Sequence, residues 1–228
     1  MHSLEESGVA SAPSWSQASS ETVRSIVRQA GAIVLQVDSA VTRVHGLAWL
    51  TNQREAAVLR RLADLQAEAS AGAWSAERLV SARLGVIRPR RSEINALGQE
   101  YLRGLAPDVV EAAHRIRRSG ISVGLASDVA VEALFGVATA LGVTPEDIEA
   151  PTVRFDALGF YTSSDVTRRT GASRLGRVFI GARPPEFGVR SEDAFIRYTG
   201  FVQQDGAVAT PILDSVASYA ELALLVAG

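Results

Sequence analysis

Two short, continuous apolar runs constrain the architecture more than any other feature. Residues 32–37 are interrupted only by Gln36, and residues 121–126 form a second such run. Runs of this length without polar alternation suit strands covered on both faces, as in a parallel sheet. Between them, residues 47–102 read as helical, with Leu50, Ala57, Leu59, Leu62 and Leu65 on one side and Arg54, Arg60, Arg61 and Glu68 on others. Ala71-Gly72 and Pro89 punctuate that stretch. A short helix precedes the first run, capped by Ser19 or Ser20, carrying Val23, Ile26 and Val27, and stopped at Gly31. Pro107 opens another helix, with Val109, Val110, Ala113 and Ile116 as its apolar stripe and Gly120 after its end. Residues 129–141 make a further helix that ends at Gly142, and residues 178–181 a further strand.

Strand and helix alternating on either side of an all-helical insertion predict an α/β fold: a doubly wound parallel sheet of Rossmannoid type with a helical cap after the first strand. The expected division is a tail over 1–18, a core over 19–46 and 103–228, and a cap over 47–102. At 228 residues one main fold is expected. In open sheets of this kind ligands sit at the carboxyl ends of the strands. That directs attention to residues 36–40, to Ser127-Asp128 and to the segment after 178–181.

Composition closes several routes. There is no cysteine, so disulfides, thiolate metal sites and thiol nucleophiles are excluded, and His2, His45 and His114 are too scattered for a zinc site. A formal charge of −2 gives no overall basic field, so nucleic acid is not an expected partner. No apolar span is long enough to cross a bilayer, and the Ser/Ala-rich start lacks the charged and apolar regions of a signal peptide, so no membrane association and a cytoplasmic location are expected. All 23 basic residues are arginine, which removes every mechanism that needs a lysine.

The first strand end reads Gln36-Val37-Asp38-Ser39-Ala40, the second Gly124-Leu125-Ala126-Ser127-Asp128, and the third Gly181-Ala182-Arg183-Pro184-Pro185-Glu186. In this order, with a helical insert after the first, they resemble the haloacid dehalogenase (HAD) superfamily in its phosphoserine phosphatase branch. That resemblance implies an attacking carboxylate where Gln36 stands, a general acid and base at Asp38, an oxyanion-binding hydroxyl at Ser127, a lysine whose nearest stand-in is Arg174, and a magnesium carboxylate where Ala182 stands. An amide oxygen is a poor nucleophile and adds no charge to a magnesium site. Active phosphoserine hydrolysis is therefore not expected, and neither a metal nor a cofactor is. In the insert, Arg83 falls on the stretch where the family's arginine grips the substrate carboxylate.

Several of these residues carry a plainer reading. Asp38 caps the turn after its strand or transfers a proton, and His45 is a second base or an exposed helix-entry histidine. Asp128 caps the next helix, Trp49 and Trp74 pack, His114 lies on the surface, and Arg88, Arg90 and Arg91 make a solvated turn. The pattern of losses also resembles the degenerate HAD-like proteins associated with aziridine formation in azinomycin-type biosynthesis, which look like paired subunits. It implies a small amino-acid-derived substrate whose sulfate or phosphate leaves as its own amine closes a ring, with Asp38 or His45 taking the proton and Gln36, Ser127, Arg174 or Arg183 holding the anion. A related HAD-like subunit or a second copy is the partner this implies. A noncatalytic supporting subunit and an amino-acid sensor are the alternatives.

Overall fold

The computed structural model describes residues 20–72, 74–166, 176–183, 185, 193–201, 215–216 and 218–227. Helix α1 (Ser20–Gln29) leads into strand β1 (Ala32–Gln36). The strand ends one residue sooner than its apolar run, because Val37 opens a single π-helical turn, Val37–Val41, closed by the Thr42 N–H on the Val37 carbonyl at 3.0 Å. The insert follows as α2 (Gly46–Thr51), α3 (Ala56–Ser70), α4 (Ala76–Ile87) and α5 (Arg91–Arg103), and α6 (Val109–Arg118) returns the chain to β2 (Ser122–Ala126). The helix expected over 129–141 is split into a 3-10 turn, Val131–Leu134, and α7 (Phe135–Leu141). Its first amide is drawn outward, since Val131 N–H donates to Pro151 O at 2.8 Å. Then come β3 (Ile148–Glu149), β4 (Thr152–Phe155), β5 (Tyr161–Asp165), β6 (Arg177–Gly181), β7 (Ala194–Tyr198), β8 (Ser215–Val216) and α8 (Tyr219–Ala227).

The main sheet has six strands in the order β3-β2-β1-β6-β7-β8, every pairing parallel. β1 is central, with Leu35 level with Leu125 on one side and Ile180 on the other. Alternation splits its residues between two cores: Ile33 and Leu35 enter the large one, while Val34 packs with Ala126 and Phe179 on the opposite face. Burial on both faces is what a strand without polar alternation requires. The α/β fold with a parallel core sheet and a helical cap inserted after the first strand is thus the observed architecture. Among the described residues, no helix is long and apolar enough to cross a membrane.

The insert is anchored at its base and braced within. Its entering and leaving chains pair, Thr42 bridging to Leu105, with Ala106 N–H on Val41 O at 2.8 Å. Arg54 forks onto Glu93, both nitrogen–oxygen distances being 2.7 Å, and its Nε donates to Ile87 O at 3.0 Å. Glu93 also accepts the Arg90 N–H at the start of α5. The β4–β5 hairpin, absent from the sequence reading, packs against α4 and is held to the start of α5: Arg90 lies 5.0 Å from the Phe160 ring centre and Arg91 5.3 Å from that of Phe155. Arg88, Arg90 and Arg91 are exposed, as a solvated turn requires, and Arg90 and Arg91 also lie against the hairpin.

The Arg54 hydrogen bond holds the Glu93 carboxyl below its ordinary range, against burial that pushes it up. A carboxyl lowered in the folded state stabilises fully above the ordinary carboxylate range, and that contribution is lost as pH falls through the lowered value. Glu93→Gln is accordingly expected to cost about 1–3 kcal/mol at neutral pH. In thermal unfolding the gap to wild type should narrow as the solution is acidified below that range, whereas a gap that stays constant would count against the ion pair.

Candidate active site

Parallel register brings the carboxyl ends of β1, β2 and β6 to one level, with Gln36 opposite Ala126 and Leu35 opposite Ile180. A pocket of about 430 Å³ opens there, lined by Gln36, Asp38 and Ser39 from the first strand end, His45 from the start of the insert, Ala126, Ser127 and Asp128 from the second, and Ala182, Arg183 and Pro185 from the third.

The π-helical turn aims Asp38 back over the strand ends. Its Oδ1 accepts the Gly46 N–H at 2.7 Å and the Tyr101 hydroxyl at 2.5 Å, and its Oδ2 accepts the Ser127 hydroxyl. Ser127 Oγ in turn accepts the Val129 N–H at 3.2 Å. A serine hydroxyl has a single hydrogen to donate. In this arrangement Ser127 gives it to Asp38, not to an anion in the pocket. The next helical turn is capped at Ala130 without a side-chain bond, and Asp128 instead lines the pocket.

Gln36 is held differently. Its Oε1 accepts the Ser39 hydroxyl at 3.1 Å, and Ser39 Oγ accepts the Ala182 N–H at 3.2 Å, tying the first strand end to the third. With Oε1 committed, the Nε2 hydrogens are the donors Gln36 has left for a ligand. Its side chain occupies space that only a glycine leaves open, since a Cβ on Gly181 would stand 1.6 Å from Gln36 Oε1.

Of the residues singled out in the sequence, Gln36, Asp38, His45, Ser127 and Arg183 come together around this pocket, with His45 exposed. Arg83 is not among them. It donates to Gln66 and lines a separate cavity of about 160 Å³ inside the insert, with Leu47, Ala48, Thr51, Leu62 and Ile87. Arg174 and Glu186 lie outside the described residues. His114 is exposed, Trp49 packs on the main core, and Arg78 lies 4.1 Å from the Trp74 ring centre. The sequence reading missed Tyr101, Ser39 and Gly46. Gly46 had a signal in standing beside His45 at a helix start; Tyr101, 63 positions from Asp38, had none.

The resemblance stated above implies magnesium, and the donor set does not fit it. Among the described residues no group of three or more His, Asp or Glu is placed to hold a metal ion. Gln36 brings a neutral oxygen already bonded to Ser39, Ala182 brings no ligand atom, and both Asp38 oxygens receive hydrogens. Magnesium is ordinarily held by carboxylates and water with near-octahedral demands.

A parallel sheet entered by β1, a helical insert directly after it and a pocket over the strand ends define a HAD-like fold, and the likenesses found lie with phosphoserine phosphatases. The curated rat phosphoserine phosphatase is 26% identical over 151 residues, 66% of this chain and 66% of that protein, so the likeness spans about two thirds of the relative's length. Among solved structures, a phosphoserine phosphohydrolase-like protein from Francisella tularensis superposes with a TM-score of 0.66 at 17% identity, covering 86% of this chain and 99% of that one. The phosphoserine phosphatase from T. onnurineus gives 0.58 at 14% identity, covering 87% and 96%. These structural likenesses carry the fold. No family model matches the chain.

Two glycine substitutions separate rigid from yielding parts of the pocket. A Cβ on Gly46 would meet Tyr101 Oη at 2.0 Å, Val129 Cγ2 at 2.6 Å and Asp38 Oδ1 at 2.8 Å, all of them packed. Gly46→Ala should cost about 1–3 kcal/mol in urea unfolding. Gly181→Ala meets the far end of one flexible side chain and should cost clearly less, with Gln36 turned away from Ser39 in the variant's crystal structure. Equal costs for the two would refute this distinction.

Proposed function

We propose that this chain binds a small amino-acid-derived sulfate or phosphate ester and promotes departure of the anion by breaking carbon–oxygen rather than phosphorus–oxygen or sulfur–oxygen bonds. The observation that carries the reading is the Gln36 amide at the end of β1, bonded to Ser39 in a pocket that also presents Asp38 and His45. An amide at that place cannot form an acyl phosphate of the usual kind, yet it remains a hydrogen-bond donor to an anion. The substrate's own amine supplies the nucleophile. Its lone pair forms the new carbon–nitrogen bond, the carbon–oxygen bond breaks, the electron pair leaves with sulfate or phosphate, and the ammonium proton passes to Asp38. His45, exposed at the pocket, relays that proton to solvent. Arg183 and the Gln36 amide hold the departing anion, and the product is an aziridine. A related HAD-like subunit is the proposed partner.

The test uses serine O-sulfate with a labelled bridging oxygen, added to the chain together with whatever protein copurifies with it. Label recovered in sulfate, with an aziridine product, supports the reading. Label retained in serine, or hydrolysis of phosphoserine with magnesium at ordinary phosphatase rates, overturns it. Asp38→Asn is expected to lower the rate about a hundredfold or more. An unchanged rate in that variant would leave the chain a supporting subunit for an active partner.

A further inference from the structure

The donors around Asp38 are divided unequally between its oxygens. Oδ1 takes the Gly46 amide at 2.7 Å and the Tyr101 hydroxyl at 2.5 Å, while Oδ2 takes the Ser127 hydroxyl alone. A carboxylate oxygen offers two lone-pair sites, so Oδ1 is filled and Oδ2 keeps one open. The two sets also come from different parts of the fold. Gly46 opens α2 and Tyr101 lies in the last helix of the insert, whereas Ser127 follows the core strand β2. Tyr101 is fully buried, among the largest side chains in the core. Its ring alone would fill that volume as phenylalanine, so packing does not account for the hydroxyl.

We propose that Tyr101 is a positioning residue: by filling Oδ1 from the insert, it fixes the rotation of the Asp38 carboxylate and leaves Oδ2 as the oxygen that takes the substrate proton. The inference rests on the proposed role of Asp38 and adds which oxygen works and what sets it. It also makes the seating of the insert on the sheet a condition for an aligned base, because α5 packs on the 3-10 turn that follows Ser127. The phenol is suited to the task across the working range of pH. Burial, and then the Asp38 charge, raise its pKa well above the ordinary tyrosine value, so it stays a donor.

Two measurements test this, one of them independent of turnover. In Tyr101→Phe, folded as judged by circular dichroism, kcat for serine O-sulfate should fall about tenfold or more with KM within about twofold, since an interaction that aligns the base is lost without loss of substrate contacts. An unchanged kcat, or a loss carried by KM alone, overturns the proposal. In the second, ring-labelled tyrosine is followed by NMR through alkaline titration. The Tyr101 resonance should titrate at lower pH in Asp38→Asn than in wild type, because the neighbouring charge is gone. A titration that does not move overturns it. Should wild type leave serine O-sulfate untouched, the proposed function fails by itself, and the resonance alone then decides whether Tyr101 holds Asp38.

Discussion

Everything in the pocket depends on how firmly β1 is held. All five of its residues pair with β2 and the first four also pair with β6, and its apolar side chains are covered on both faces. The strand therefore cannot slide without moving every side chain to the wrong face. That register places Gln36 level with Ala126 on one side and, one residue beyond the Leu35–Ile180 pair, beside Gly181 on the other, and the π turn directly after it lifts Asp38 over the same level. A turn of that type, with one residue more than an α-helical turn, redirects a chain within a very short length. The result is a carboxylate and an amide presented side by side from one strand end, each with its own partners.

What could be read from the residues follows from the range of the forces involved. Residues 32–36 and 122–126 were legible as strands because burial on both faces leaves a continuous apolar run, a purely local mark. β3 and β8 are two residues each and too short to leave any periodicity. The β4–β5 hairpin did leave a signal, with Asp156 and Gly159 at its turn. Asp156 Oδ1 accepts the Leu158 and Phe160 amides at 2.9 and 2.8 Å, the behaviour that makes aspartate a turn residue. The hairpin's strands are largely exposed and so leave no apolar run beside that turn. Of the site, Gln36, Asp38, Ser127 and Arg183 were legible from their positions at strand ends, and His45 from its place at the helix entry beside Gly46. Tyr101 was not, since an aromatic residue on a helix face looks the same whether its hydroxyl meets water or a carboxylate 63 positions away.

The exclusive use of arginine gains meaning from the structure. Arg54 engages both oxygens of Glu93, and Arg177 forks onto Asp193 while reaching Glu149, buried against the Phe179 ring. Burial works against the Arg177 charge, but the Asp193 hydrogen bonds and the Glu149 charge outweigh it and keep the guanidinium protonated. Arg78, Arg90 and Arg91 lie over aromatic rings. A planar fork that is always charged does each of these things, and an ammonium does none as well. Of these arginines, Arg177 is buried and Arg54 half-buried, while Arg78, Arg90 and Arg91 are exposed.

The pocket is electrically consistent as built. Two carboxylates at the end of one strand would repel each other in a partly dry site, and a divalent cation is the usual remedy. With Gln36 in one of those places a single negative charge remains on that strand end, and it is neutral donors that meet it: an amide, a phenol and a serine hydroxyl. Hydrogen bonds of this kind stabilise a carboxylate without cancelling its charge. A cation bound there would find one open site on Asp38 Oδ2 and gain only a neutral oxygen from Gln36. The Gln36 amide and the set of hydrogen bonds around Asp38 are therefore one arrangement, electrically balanced by neutral donors.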